Sequence, residues 1–391
     1  MKTINIEELV KDGAVHGDIY NEEEIFQLEM TRIFEKTWVF VAHESEIANP
    51  GDYKTTVIGE HPLIVTRDSD TEEIFVLFNR CRHRAATVCQ QETGNANFFR
   101  CAYHGWTYSN NGDLTGMPFQ DGYDEHFDRC KMGLIKVPRV GIYQGFIFAS
   151  LSEEGPSLEE HLGHARPYID YIVGTGPDGI ALNAGAHKYS FDGNWKLQIE
   201  NTIDPYHLSV THRSFFNILS KKTGKKINFN RMHKSEKIRD LGNGHSLYEL
   251  GGDLGIGALP FNLIVFPNLG FLGSQVRVTR PISVNKTHVF LYPIMLKGVS
   301  VEENAERLRK HEGFYGPAGF GTVDDLEVGF DRVAEGLKAK GPDGEWLEIS
   351  RGMNREEVDE QGIITATSSD EVSARALYKE WKRLMTAGSI S

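Results

Sequence analysis

The chain has 391 residues, 40% of them hydrophobic and 10% aromatic, enough for two domains with sizeable cores. Its net charge of −13 argues against a nucleic-acid partner and is compatible with a more basic redox partner. No apolar run is long enough to span a membrane and Met1 to Asn5 opens no signal core, so a cytoplasmic protein is expected.

In chain order, residues 1 to 20 read as irregular, broken by Gly13 and Gly17. Asn21 with Glu24 has the form of a capping box, and Ile25, Leu28, Met30, Ile33 and Phe34 then predict a helix ending near Trp38. From Val39 the rhythm is that of short strands: Asp52 to Gly59, Leu63 to Arg67, Ile74 to Asn79, and Val137 to Leu151, with a turn at Asn110 to Asp113. Between these strands lies Cys81-Arg82-His83, and then Cys101-Ala102-Tyr103-His104-Gly105-Trp106. Two thiols and two imidazoles in tight pairs are metal ligands. A zinc site is one reading. The alternating order, Cys with His in each pair, suits a two-iron cluster with thiolates on one iron and imidazoles on the other. Cys89 and Cys130 are left over, and buried thiols in a reducing compartment are expected rather than a disulfide.

Gly155-Pro156 marks a boundary. Ser157 and Glu160 again suggest a capping box, opening a helix to about Val173 on which His161 and His164 read as surface or packing residues. Residues 186 to 192 suggest a strand, and Asn194 to His212 a helix. Lys221 to Lys234 reads as a loop over a site entrance. Ser246 to Leu250, Leu263 to Pro267, Leu272 to Arg280 and Thr287 to Leu296 predict an antiparallel sheet. Helices follow at Val301 to His311, Asp324 to Lys340 and Glu371 to Met385.

His207 and His212 stand five residues apart, about 140° around a straight helix, so they share a site only if the helix breaks. Pro205 is a reason for it to break. Alone, the pair is weak; its setting is not. Asn194-Trp195-Lys196, then Glu200-Asn201, then Asp204, Tyr206, His207 and His212, resembles the mononuclear iron motif of Rieske non-haem iron aromatic-ring-hydroxylating oxygenases, large (alpha) subunit. The Cys81–His104 stretch resembles the Rieske domain of the same family, continuing through Tyr108, Gly112, Leu114 and Pro118. His43 to Ile47 and Asn201 to Tyr206 look like the benzoate-, anthranilate- and salicylate-type branch, although no single Arg is marked as a carboxylate anchor.

The resemblance implies an α+β chain: an all-β [2Fe–2S] domain over residues 38–156, and a catalytic domain from 1–37 and 157–391 whose curved antiparallel sheet is flanked by helices. It implies Cys81, His83, Cys101 and His104 on the cluster. It implies Fe(II) on His207, His212 and an acid after Phe314 to Phe320, with Asp325 preferred over Asp324. A bland reading makes Asp324 a helix cap and Asp325 a first-turn acid. Asp204 is implied to join His207 to His104 of a neighbouring subunit. Asn201, Leu208, Phe215, Val265 and Phe320 are candidates for the substrate wall, or simply core. The implied partners are O2, an aromatic substrate favouring cis-dihydroxylation, and an NAD(P)H-dependent reductase acting directly or through a ferredoxin. A homotrimer or α3β3 assembly with a small beta subunit is also implied. The rivals are a monooxygenase of the same family, a Rieske electron carrier, and a zinc-stabilised binding protein.

Overall fold

The computed structural model describes residues 5–224, 233–251, 259–341 and 345–387. The chain divides into two units. One comprises Phe34–Leu158 with Ala181–Asn183, and the other comprises the remaining segments, Met1–Ile33, Glu159–Ile180 and Ala184–Ser391. The chain as a whole is α+β.

The smaller unit is built of antiparallel sheets. Asp52–Ile58, His61–Arg67 and Ile74–Phe78 form a meander with Thr93–Asn95 at its edge. Val39–His43 pairs with Phe146–Ser150, and both are buried along their whole length. A third sheet joins Phe98–Arg100, Thr107–Ser109 and Leu114–Gly116. These short runs are rich in β-branched and aromatic residues and are bounded by turn residues, as strands of a small β unit are. Cys89 is buried, whereas Cys130, expected to be buried, is exposed, and both are free thiols.

The larger unit holds an open nine-stranded antiparallel sheet. Its centre is a meander from Lys237–Gly242 through His245–Glu249, Phe261–Val265, Leu269–Leu272 and Gln275–Ser283 to Lys286–Pro293. His187–Phe191 closes one edge, and Ile364–Thr367 with Glu357–Val358 closes the other. The stretch expected as a single strand from Leu272 to Arg280 is two strands, because Gly273 turns the chain at φ +63. The Trp195–Thr202 helix lies on the sheet, and the Val372–Thr386 helix packs on Lys237–Gly242 and His245–Glu249.

Several helices depart from the sequence reading. Asn21 does not cap; its amide donates to the Leu337 carbonyl at 2.9 Å, and Glu22 stands at the start of the Glu23–Glu29 helix. The 157–173 helix is interrupted at Gly163–Ala165. Arg213–Thr223 takes Lys221 and Lys222 out of the expected entrance loop, of which residues 225–232 lie outside the described residues. Phe320–Asp324 continues through a π-helical turn, Asp325–Asp331, into Arg332–Gly336.

Candidate active site and metal centres

The helix that was expected to run from Asn194 to His212 ends at Thr202 and resumes as Leu208–Thr211. Its first part is fixed from outside. Asn194 caps it, accepting from the Lys196 N–H, while the Asn194 amide donates to the carbonyls of Tyr20 and Val284. Lys196 and Glu29 are wholly buried as an ion pair at 2.5 Å. Both indoles, Trp195 and Trp381, donate to the same Glu29 carboxylate at 2.8 and 2.6 Å. Glu200 accepts from the hydroxyls of Tyr20 and Tyr378, and burial pushes its carboxyl up to about 7. The Asn-Trp-Lys…Glu part of the motif is therefore anchorage for the segment that follows.

That segment brings three donors to one point. His207 Nε2 and His212 Nε2 lie 3.2 Å apart, and each faces Asp325 Oδ1, at 3.4 and 3.2 Å. The far nitrogens are held by acids: His207 Nδ1 by Asp204 at 3.1 Å, and His212 Nδ1 by Asp324 at 3.2 Å. With protons on both Nδ1 atoms, both Nε2 atoms present bare lone pairs. Asp325 Oδ1 is buried and makes no hydrogen bond. Two imidazole nitrogens and a carboxylate oxygen converging this closely call for positive charge, from a metal ion or, without one, a proton. Burial opposes charge on His207, yet Asp204 and Asp325 outweigh it and raise its pKa to about 10, so a metal ion binding at Nε2 displaces a proton. Burial likewise opposes charge on Asp325, yet the two imidazoles hold it well below the usual carboxylate range. The bland reading of Asp324 as a cap is corrected: it lies at the end of the Phe320–Asp324 helix and positions His212 instead. Asp325 opens the π-helical turn, a wide turn often found at functional sites.

The first motif is built from one turn used twice. The Cys81 carbonyl accepts from the Ala85 N–H at 3.0 Å, and the Cys101 carbonyl from the Gly105 N–H at 3.0 Å. Each cysteine N–H donates at 2.8 Å five residues on, to Ala86 or to Trp106. The turn needs positive φ at its fourth step, which Gly105 supplies freely at +72 and Ala85 adopts at +61. His83 Nδ1 and His104 Nδ1 face each other at 3.1 Å, and Trp106 stacks on His83 with centroids 5.1 Å apart. Cys81 and Cys101 are buried. The Arg82 N–H donates to the Tyr108 hydroxyl, which sits 3.2 Å from Cys81 Sγ. Among the described residues, the one group of three or more such donors within 4.8 Å of one another is His207, His212 and Asp325. The two thiols and two imidazoles are spread too widely for one zinc ion, whose ligands lie about 2.0–2.3 Å from it.

Residues 37–136 match the Rieske [2Fe-2S] domain, and residues 181–387 match the ring hydroxylating alpha subunit catalytic domain. Toluate 1,2-dioxygenase subunit alpha of Pseudomonas putida is 34% identical over 89% of this chain and 84% of its own. Anthranilate 1,2-dioxygenase large subunit of Acinetobacter baylyi is 33% identical over 96% of this chain and 91% of its own. The crystal structure of naphthalene 1,2-dioxygenase from Rhodococcus sp. bound to indole superposes with a TM-score of 0.87 and 28% identity, covering 98% of this chain and 97% of that one. The chain belongs to the ring-hydroxylating oxygenase alpha subunits. It is thus an oxidoreductase with a Rieske [2Fe–2S] cluster and a mononuclear non-haem iron.

In this oxygenase subunit a cleft opens beside the three converging donors. Of the residues expected as substrate wall, Asn201 and Leu208 border it. Phe215, Val265 and Phe320 do not line it: Val265 is buried in the sheet, and Phe215 packs at a tilt against both Phe314 and Phe320. The lining that the sequence reading missed includes Phe216, Tyr248, Asn262, Leu272, Phe314 and Tyr315. Phe216 lies one position beyond Phe215, about 100° around the helix, and both rings touch Phe314. The others come from strands and from the Val301–Tyr315 helix, which no local pattern connects to His207. No helix among the described residues is long and apolar enough to cross a membrane.

Proposed function

We propose that this subunit catalyses cis-dihydroxylation of the ring of an aromatic acid. Both atoms of O2 enter adjacent ring carbons, and two electrons from NAD(P)H with two protons complete the dihydrodiol. In this reading Cys81, His83, Cys101 and His104 hold the cluster within residues 38–156. His207, His212 and Asp325 hold Fe(II) in the domain formed by 1–37 and 157–391. The cluster supplies electrons singly and the iron supplies O2 activation. The chain's own work is to position and to shield. Asp204 and Asp324 keep protons on the Nδ1 atoms and the rings aimed inward. Leu272, Phe216 and Phe314 give the cleft a dry apolar wall against which a ring can lie.

The observation that carries the reading is the buried Asp325 Oδ1 facing two imidazole Nε2 atoms at 3.4 and 3.2 Å beside that cleft. A facial set of two imidazoles and one carboxylate leaves coordination positions open for O2 beside substrate. The relatives' names support the aromatic-acid class. Electrons come from a reductase, directly or through a ferredoxin. The family resemblance further supports a trimer, with or without a small beta subunit, in which Asp204 meets His104 of the next subunit. Dependence on NAD(P)H fits work in the cytoplasm. Product analysis with the reductase and a panel of benzoates tests the proposal: dihydrodiols carrying both atoms of labelled O2 are expected. A phenol or dealkylated product with one labelled atom would replace it with a monooxygenase.

A further inference from the structure

Around the cleft, most polar side chains are already committed. The Tyr248 hydroxyl donates to Glu236 at 2.6 Å, and the Thr202 hydroxyl donates to the Gln198 carbonyl at 2.8 Å. His207, His212, Asp204 and Asp325 belong to the metal centre described above. Asn262 is different. It stands on the Phe261–Val265 strand, is 7% exposed, and borders the cleft. Its amide nitrogen turns toward the Thr202 carbonyl at 3.4 Å, and its Oδ1 is buried without a hydrogen-bond partner. The Thr202 carbonyl fixes which end of the amide is which, because two oxygens set against each other would repel. A buried amide oxygen left unmatched carries an uncompensated desolvation cost, so a site built this way gains when a ligand supplies the missing donor. Among the described residues, no Lys or Arg lines the cleft. Recognition of a polar ring substituent therefore falls to neutral groups, and among them the Asn262 oxygen is the buried acceptor without a partner.

We propose that Asn262 is a specificity-determining residue whose side-chain oxygen accepts a hydrogen bond from an N–H or O–H group on the substrate ring. The inference rests on the proposed aromatic hydroxylation at this cleft and narrows its substrate class. Aromatic acids that also carry an amino or hydroxyl substituent are favoured over those whose ring carries only the carboxylate and alkyl groups. The Asn262 oxygen is matched by the first kind and left orphaned by the second, and such an asymmetry discriminates strongly.

The test compares 2-aminobenzoate with 2-methylbenzoate, two acids of similar shape of which only one offers a donor on the second substituent. Holoenzyme and reductase are used, with kcat and KM measured separately and dissociation constants measured by titration. The wild type is expected to prefer 2-aminobenzoate by about tenfold or more in kcat/KM, most of it in KM and in the dissociation constant. In Asn262→Leu the preference should fall to near unity, with the cluster spectrum and iron content unchanged. Asn262→Asp keeps an acceptor and should keep the preference. Wild-type enzyme that hydroxylates both acids with equal kcat/KM overturns the assignment while leaving aromatic hydroxylation standing, and so does a preference that survives in Asn262→Leu. Failure to bind or oxidise any benzoate overturns both this inference and the reading beneath it.

Discussion

Asp324 and Asp325 differ by one position and have different partners. Asp325 shares its Oδ1 with both imidazole Nε2 atoms, whereas Asp324 touches only the far nitrogen of His212. His207→Ala, His212→Ala and Asp325→Ala should each strip the iron and abolish oxygenation while the cluster colour remains, as iron assay and visible spectra would show. Asp324→Ala should bind iron about 10–100-fold more weakly yet recover activity in excess Fe(II), because it removes an orienting partner and not a ligand. At the other metal centre, Tyr108 directs its hydroxyl at Cys81 Sγ. A hydrogen bond to a ligand sulfur stabilises the reduced cluster, so Tyr108→Phe should lower its potential by on the order of tens of millivolts in a redox titration. The two Cys-His pairs and the His207–His212 pair proposed as ligands stand out in the sequence because the spacing within each pair is local; Asp325, far downstream, was expected only from the resemblance. Asn262 was not legible. It sits in an otherwise apolar strand, and what makes it unusual is a distant carbonyl, that of Thr202, which only the folded chain brings near.

At the scale of elements, the helix beginning at Trp195 is positioned by a buried charge. Glu29 receives Lys196 and two indoles, tying together the Glu23–Glu29, Trp195–Thr202 and Val372–Thr386 helices. Lys196→Met leaves that carboxylate without its counter-charge and should cost about 3 kcal/mol or more in denaturant unfolding. Adding Glu29→Leu should recover part of the loss. His245 predicts a pH dependence. It is fully buried, accepts from the Phe266 N–H at 3.0 Å and donates to the His161 carbonyl at 2.7 Å, and burial lowers its pKa to about 4. The unfolded chain takes up this proton near pH 6.5, so the residue's contribution is full above that and is lost as pH falls toward 4. The loss is on the order of 3 kcal/mol. The stability difference between wild type and His245→Gln should therefore shrink between pH 7 and pH 4. Of the two readings open for His161, surface or packing, the structure shows packing, since it lies in this buried pair. The strands were legible because β-branched and aromatic runs bounded by turn residues mark them. The π-helical turn was not, because a helical stripe of 3.6-residue period gives no sign of one wider turn at Asp325.

For the whole molecule, the sequence patterns separated a strand-rich segment from a mixed one, and the chain divides into two units between Ile33 and Phe34 and near Leu158. The proposed electron delivery from a neighbouring subunit is tested by Asp204→Asn. Cluster, iron and fold should persist, while transfer from the pre-reduced cluster in a single turnover slows severely; a normal rate would remove the intersubunit bridge. The interrupted helix has a consequence of another kind. The anchors at Asn194, Lys196 and Glu200 lie upstream of the break, and the imidazoles proposed to bind iron lie beyond it. The cation thus closes only the final stretch of this segment, and the helix before it does not depend on it for its footing. A subunit that has lost its iron to chelation or oxidation should keep its core and rebind Fe(II) without refolding. Amide exchange would quicken around residues 203–212 and stay slow in Trp195–Thr202. Such an enzyme is serviceable: its metal can be replaced many times within the lifetime of one folded chain.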